Sequence, residues 1–263
     1  MWTLFKSELK NGRKQTLIWS VLVGGLGLIC LLLYKSMEGS MLVIADSFAS
    51  MGAFADAFGM STLSIGTVGG YFATEIGTIH GLGSGMFAAC LATPLLSKEE
   101  EAHTADFTYT LPVSRQRVLH AKALYMVCSL LLFTFVCFLF YLAGFLLLGE
   151  AVPYPELIHF MCAQLLMDLV IAGICYVISA CTRKTKLGIG IGIAMFFYAY
   201  DLMSRILPAL RKYKLFSPYS FANATDIFAH KKIPTAGISL GIFVILLSFL
   251  FSQILYIRKD LSC

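Results

Sequence analysis

The stretch LHAKALYMVCSLLLFTFVCFLFYLAGFLLL, residues 119–148, is apolar almost throughout and contains one formally charged residue, Lys122. A helix needs about 20 apolar residues to cross the hydrocarbon core of a bilayer, which is about 30 Å thick. The stretch is also too long and continuous for a strand of a membrane barrel, which would alternate over about 10 residues. It therefore predicts a transmembrane α-helix.

Further apolar windows lie along the chain at residues 15–34, 73–97, 158–181, 187–205 and 235–257. The whole chain of 263 residues is 58% hydrophobic, and its mean hydropathy is +0.80. This composition is far from that of soluble globular proteins. The windows predict an all-α polytopic membrane protein with six transmembrane helices, which form a single domain over residues 1–263.

Lys and Arg residues are distributed unequally between the two sets of connecting segments. With the N-terminus inside, 13 of the 20 fall on the inner side. Cytoplasmic segments of membrane proteins carry such an excess, so both termini are predicted to be cytoplasmic. The basic loop at residues 206–234 would then lie outside, against the trend. If the fifth window did not cross the membrane, this loop would be cytoplasmic instead.

Charge is concentrated between the second and third windows, in SKEEEAHTADFTYTLPVSRQRVLHAK, residues 97–122. Ser97 and Glu100 have the spacing of a helix-start box, and the acidic run favours the positive end of a helix. Pro112 disfavours helix at the residue before it, so a new helix is predicted after it. The pattern favours a short cytoplasmic helix parallel to the membrane over a solvated loop.

Two other segments are predicted to form amphipathic helices. Residues 1–14 place Trp2, Phe5 and Leu9 on one face, which predicts an interfacial helix with an anchoring or a regulatory role. Between the first two windows, apolar residues recur at spacings of three and four over residues 37–58. They predict an outer amphipathic helix that either covers a central pathway or lies on the outer leaflet.

Small residues recur every four positions on two windows, and such edges allow helices to approach closely. These helix-packing candidates are Gly77, Gly81 and Gly85 on the second window, and Gly188 and Gly192 on the fifth. The pattern is consistent with a sliding or dimer seam and equally with static packing.

Asp168 lies near the middle of the fourth window, where a carboxylate costs about 2.5–3.5 kcal/mol on insertion scales unless it has a partner. A hydrogen bond to Gln164 one turn away, or to His80 on the second window, would give it a structural role. Contact of Asp168 and His80 with a substrate, or of Asp168 with a proton, is the alternative. Asp201 can pair with Arg205, one helical turn on.

Missing motifs argue against several functions. The sequence has no GxxxxGK[ST] loop to hold nucleotide phosphates, and no HExxH or CxxC pattern, so it predicts neither catalytic residues nor a metal site. Seven of the eight cysteines lie inside or at the ends of windows, as is typical of small buried residues. A secondary transporter and an intramembrane enzyme stay as alternatives to the function considered next.

The charged segment resembles the link between the second and third spans of ABC type-2 permeases, the membrane subunits of ATP-binding-cassette exporters. That family has an acidic pair or triplet, a Thr, a short helix ending in Leu, a Pro-hydrophobic-Ser-Arg run and a Lys. The matching residues are Glu99, Glu100, Glu101, Thr104, Leu111, Pro112, Val113, Ser114, Arg115 and Lys122, whereas His103 replaces the usual Gly. GYFATEIG, residues 70–77, and LFSPYSFANATDIF, residues 215–228, also resemble the family.

The resemblance implies that residues 98–117 form a coupling-helix loop, which sits in a groove of a separate ATPase subunit and receives the motion of ATP binding. The charge of this loop would then be a docking surface. The implied coupling residues are Glu99, Glu100, Glu101, Thr104, Phe107, Leu111, Pro112 and Arg115.

The resemblance also implies the partners and the location of the chain. ATP and Mg²⁺ would bind to the ATPase subunit, with no cofactor on this chain. The other expected partners are a second permease, most simply another copy of this chain, and membrane lipids, with no role for nucleic acid. The expected location is a bacterial plasma membrane, and the family as a class exports peptides, drugs and lipids, among other substrates.

Overall fold

The computed structural model describes residues 2–60, 62–102 and 114–259. The described residues are 83% helix and include no β-strand, which confirms the all-α prediction. The helices are α1 (Trp2–Ala49), α2 (Ala53–Phe58), α3 (Val68–Tyr71), α4 (Gly77–Ala92), α5 (Lys98–Glu101), α6 (Arg115–Leu148), α7 (Tyr154–Cys181), α8 (Leu187–Ile206), α9 (Pro208–Arg211), α10 (Ala224–His230) and α11 (Thr235–Arg258).

In the described ranges, five helical segments are long and apolar enough to cross a membrane, namely Trp2–Met37 of α1 and the whole of α6, α7, α8 and α11. They coincide with five of the six apolar windows. Their outward faces carry large apolar side chains, as expected of surfaces that contact lipid. The chain is therefore a multi-pass membrane protein.

The helix in the second window, residues 73–97, has different bounds from the predicted ones. A π-helical segment, Phe72–Ile76, joins α3 to α4, so that helix begins at Val68 and continues to Ala92. The helix thus ends five residues before the end of the predicted window. Helices usually end at or before the residue that precedes a proline, and Pro94 follows two positions after Ala92.

The N-terminal segment is not a separate interfacial helix, because α1 runs without a break from Trp2 to Ala49. Gly12, which could have ended a helix, lies inside α1 against the ring of Tyr125 on α6. A Cβ atom at this position would overlap the Tyr125 hydroxyl, so the glycine allows α1 and α6 to approach closely. The predicted outer helix is likewise divided between the end of α1 and α2, with Gly52 between them at a φ of 56°.

The bundle is built around α4, which contacts α1, α7 and α8, while α1 packs along α6 and α11 packs along α7. Aromatic rings fill the space between these helices. The Phe72 ring lies 5.3 Å from that of Tyr141 and 5.8 Å from that of Phe160, measured between centroids. Rings in these edge-on arrangements add to the stabilisation that burial itself provides.

The segment between α8 and α11 folds back into one end of the bundle. Its residues Ser217 to Ala222 are buried and pack against α7, α8 and α11, and Tyr219 also contacts α4. The Ser217 hydroxyl donates to the carbonyl oxygen of Phe197 on α8 at 2.7 Å. The Gln164 side-chain amide on α7 donates to the carbonyl oxygen of Ala222 at 2.9 Å. We call residues 217–223 the inserted segment.

Candidate functional site

The start of the predicted coupling loop is bound to α1 and α6 through a group of four charged side chains. Lys122 of α6 is buried, and its ammonium group donates to Glu99 and to the carbonyl oxygen of Leu95, both at 2.7 Å. Glu8 of α1 lies 3.7 Å from Lys122 and also pairs with Lys98. Two cations thus alternate with two anions, which offsets much of the cost of burying charge.

The next two carboxylates bind other parts of the chain. Glu100 is buried and accepts a hydrogen bond from Lys259, which follows α11 and also donates to the carbonyl oxygen of Thr182 at 2.7 Å. Glu101 accepts from the backbone N–H of Thr185, between α7 and α8, at 3.0 Å. Hydrogen bonds from Thr185 lower the pKa of the exposed Glu101 carboxyl group.

The far end of the loop is bound to α11 as well. The guanidinium group of Arg115, the first residue of α6, donates to the carbonyl oxygens of Ile257 at 3.2 Å and Lys259 at 2.7 Å. These acceptors lie at the end of α11, where carbonyl groups lack intrahelical partners. Glu99, Glu100, Glu101 and Arg115 therefore meet around the ends of α1, α6 and α11. We call this set of contacts, with Glu8, Lys98, Lys122, Thr182, Thr185 and Lys259, the cytoplasmic joint, after the side of the membrane that the sequence predicts for this loop.

The cytoplasmic joint changes the interpretation of the charge in this segment. Glu99 and Glu100 form ion pairs inside the chain, so they position the loop, and a docking surface would have to come chiefly from the residues that follow. Those candidates, Thr104, Phe107, Leu111 and Pro112, lie outside the described residues. The sequence alone did not indicate a role for Glu8 and Lys259, because their partners Lys98 and Glu100 lie 90 and 159 positions away.

A second group of polar side chains lies inside the bundle, around Asp168. Asp168 is fully buried, and neither carboxylate oxygen has a hydrogen-bond partner within the described part of the chain. Neither expected partner binds it, since Gln164 donates to the inserted segment and His80 pairs with the Tyr141 hydroxyl at 2.7 Å. The Ser84 hydroxyl of α4 faces the carboxyl group but donates to the Gly81 carbonyl oxygen at 3.3 Å.

The glycine edge of α4 faces this polar group. A Cβ atom on Gly81 would touch the Gln164 amide, and one on Gly85 would overlap the Tyr219 hydroxyl of the inserted segment. Gly77 similarly contacts Ala224. These three glycines thus pack inside the chain, whereas a Cβ atom on Gly188 or Gly192 of α8 would meet no atom within 4 Å.

Among the cavities that the described residues form beside the inserted segment, two are lined by charged side chains. The pair of Asp201 and Arg205 lies at both of them, with Arg205 nitrogens 2.7 and 3.0 Å from one Asp201 oxygen, which confirms the predicted pairing. The inner cavity, of about 30 Å³, reaches Gln164 and Tyr219. The other, of about 320 Å³, is lined by Arg211, Lys214, Asp56 and Asp226 among others.

Metal binding finds no support in the part of the chain that the structure covers, where no three His, Cys, Asp or Glu side chains form a cluster that could hold an ion. The ion pairs of the cytoplasmic joint can hold helices together, the polar cavities can bind polar groups, and the carboxyl group of Asp168 can carry a proton.

Comparison with known families agrees with this architecture. The model of the ABC-2 family transporter proteins matches residues 2–261, which is nearly the whole chain. No individual curated protein matches it. The family match, together with the apolar helices long enough to cross a membrane, shows that the chain belongs to the ABC-2 transporter family and is a membrane transport subunit.

Proposed function

We propose that this chain is the permease subunit of an ATP-binding-cassette exporter, in which a separate ATPase subunit drives export of a peptide, drug or lipid-like substrate. The observation that carries the proposal is the cytoplasmic joint. Lys98–Glu101 and Arg115 attach both ends of the loop, residues 98–117, to the ends of membrane helices. A loop fixed in this way can transmit force from a partner to the bundle.

The joint offers a direct path for that force. Displacement of α5 would pull on α1 through Glu8, on α6 through Lys122 and on α11 through Lys259. Because these contacts are buried or partly buried, breaking them would leave charges without partners, which is costly. The three helix ends would therefore move together with the loop, so that ATP binding at the partner changes the packing of the helices.

We include the helical run over residues 68–92 as a sixth span. It contains 25 residues and would be about 37 Å long at 1.5 Å per residue. Glu8 near one terminus and Lys259 near the other both bind α5, so both ends of the chain lie on one side of the bundle. Such an arrangement requires an even number of crossings, and the excess of Lys and Arg supports the cytoplasm for that side.

The remaining partners follow from this assignment. ATP and Mg²⁺ would bind to the ATPase subunit, and lipids would cover the apolar outer faces in a bacterial plasma membrane. A second permease, most simply another copy, would complete the transporter. Its contact would include the edge of Gly188 and Gly192, which is exposed on α8 and would let two backbones approach closely.

A secondary transporter is the second candidate, and Asp168 is the observation that favours it. Transporters driven by ion gradients place ionisable groups at mid-membrane, and Asp168 is such a group. The two candidates differ in their energy source. A secondary transporter would work in vesicles that contain an ion gradient and no ATP.

Affinity purification of the tagged chain from its source membranes tests the proposal. An ATPase of the ATP-binding-cassette type should be recovered in stoichiometric amount, and replacement of Phe107 and Leu111 by Glu should reduce its recovery. A Lys14→Gln variant, altered at an exposed position of α1, provides the control. Recovery of the intact chain without any ATPase, combined with ATP-independent transport, would support the secondary transporter instead.

A further inference from the structure

We propose that Asp168 is a proton-binding site inside a single permease, and that it exchanges its proton with the outer side of the membrane through the polar cavity beside the inserted segment. This inference goes beyond the proposed function, because it does not depend on an ATPase or on the identity of the substrate. It rests on the surroundings of the carboxyl group and on the position of the cavity.

Among the described residues, the groups around Asp168 include no Lys or Arg that could stabilise a carboxylate. The groups that face it are Ser84 from α4, Cys137 from α6 and Tyr219 from the inserted segment. None of these is a cation at neutral pH, and the Tyr219 hydroxyl is itself buried without a hydrogen-bond partner among the described residues. An isolated ionised carboxylate is very costly in such a place, so the group takes up a proton instead.

The site around Asp168 can hold a proton, but it has neither the ligands nor the space for a metal ion. Hard cations such as Ca²⁺ and Mg²⁺ require about six or more oxygen ligands, and the side-chain oxygens that face Asp168 are those of Ser84 and Tyr219. The space is also occupied, since Gly85 lies so close to the Tyr219 hydroxyl and to Ile171 that a single added Cβ atom would overlap. A proton needs no additional volume.

The route to the outer side begins one helical turn from Asp168. Gln164 lies on the same face of α7, and its carbonyl oxygen is buried without a partner in the covered ranges. The inner cavity of about 30 Å³ extends from Gln164 and Tyr219 to Asp201 and Arg205. A cavity needs about 10–15 Å³ to hold a water molecule, so this one is large enough for water that would bridge these polar groups.

The residues and cavities around α7 are polar on one side of Asp168 and apolar on the other. Beyond the Asp201–Arg205 pair the cavity of about 320 Å³ continues the polar route on the side away from the cytoplasmic joint. Toward the joint, α7 places Ile171, Ala172 and Cys175, all fully buried. Protons therefore have a polar route from the outer side and an apolar barrier toward the cytoplasm.

Infrared difference spectroscopy of the full-length chain in lipid nanodiscs tests the proposal. At neutral pH the spectrum should contain the carbonyl stretch of a protonated carboxyl group, and the band should shift after transfer to D₂O. It should be absent from Asp168→Asn and present in Glu75→Gln, a control at another carboxyl group of the helical bundle. In Gln164→Leu the band should remain and its D₂O shift should be several-fold slower, whereas Met167→Leu, a swap of similar volume, should behave as the wild type.

If Asp168→Asn does not fold, isotope labelling of the wild-type chain provides a second test. Labelling all aspartates with ¹³C at the carboxyl carbon should shift the same band in the wild-type chain. Asp201 pairs with Arg205, and the band should be unchanged in Asp201→Asn, which separates this group from Asp168. Absence of an aspartate band at neutral pH would contradict the bound proton. A band that does not respond to D₂O, or that responds equally fast in Gln164→Leu, would contradict the route.

Discussion

Lys259, one of the last described residues, donates a hydrogen bond to Glu100, 159 positions earlier in the chain. The same ammonium group also binds the carbonyl oxygen of Thr182. One side chain therefore joins the end of α11, the end of α7 and the start of the loop at residues 98–117. This contact is part of the cytoplasmic joint on which the proposed transmission of force depends.

The charged group around Lys122 should make a large contribution to stability. We expect Lys122→Met to lower the free energy of unfolding by about 3–5 kcal/mol, because Glu8 and Glu99 would lose their buried partner. The loss should appear as a lower thermal transition in detergent. Lys14→Met, at an exposed position of the same N-terminal region, should leave the transition unchanged. Equal stability of both variants would show that the buried pairs contribute little.

The loop at residues 206–234 should lie on the outer side. Ser220 is buried in the inserted segment, so it is a poor position for labelling, whereas Lys232 is exposed. In a background without native cysteines, Lys232→Cys should react in intact cells with a thiol reagent that cannot cross membranes. Lys184→Cys, between α7 and α8, should react only after lysis. The opposite pattern would contradict the assigned orientation.

The glycines of α4 and α8 should respond differently to the same substitution. Gly85→Ala should destabilise the protein by about 1–3 kcal/mol, because the added methyl group overlaps the Tyr219 hydroxyl. Gly192→Ala meets open space and should raise the stability of the isolated chain by up to about 1 kcal/mol. Thermal unfolding of both variants checks this difference, and a destabilised Gly192→Ala would argue against an open edge.

Asp168 should tolerate a neutral residue of the same size. We expect Asp168→Asn to keep the stability of the wild-type protein, because a protonated carboxyl group and an amide are both uncharged. Asp168→Leu should lose about 1–3 kcal/mol, since its branched side chain overfills the space between α4 and the inserted segment. Expression and thermal stability of the two variants give the comparison. A strongly destabilised Asp168→Asn would indicate that the carboxylate is ionised in the folded protein.

Features that depend on local pattern were predictable from the sequence. The windows for α6, α7, α8 and α11 begin within four residues of the observed helices, because each is a continuous apolar run. The pair of Asp201 and Arg205 was predictable because residues four apart share a helix face. The same reasoning placed Asp168 in the middle of a span.

Features that depend on tertiary contacts were not predictable in this way. The unbroken course of α1 depends on the fit of Gly12 against Tyr125, and no local pattern shows that contact. The partners of Glu99 and Glu100 come from other helices, so their role in holding the loop could not be separated from a role in docking. The inserted segment, which contains Tyr219, was predicted as part of a basic outer loop that resembles the family, and its position inside the bundle was not predicted.

The loop at residues 98–117 is proposed to couple an ATPase subunit to movement of the membrane helices. The most direct measurement compares ATP hydrolysis and substrate export in proteoliposomes for the wild-type transporter and for a variant with Phe107→Glu and Leu111→Glu. We expect export to be lost while the ATPase subunit supplied to the same proteoliposomes still hydrolyses ATP, because charged side chains cannot form an apolar contact with the partner. Assembly and export equal to those of the wild type would contradict it.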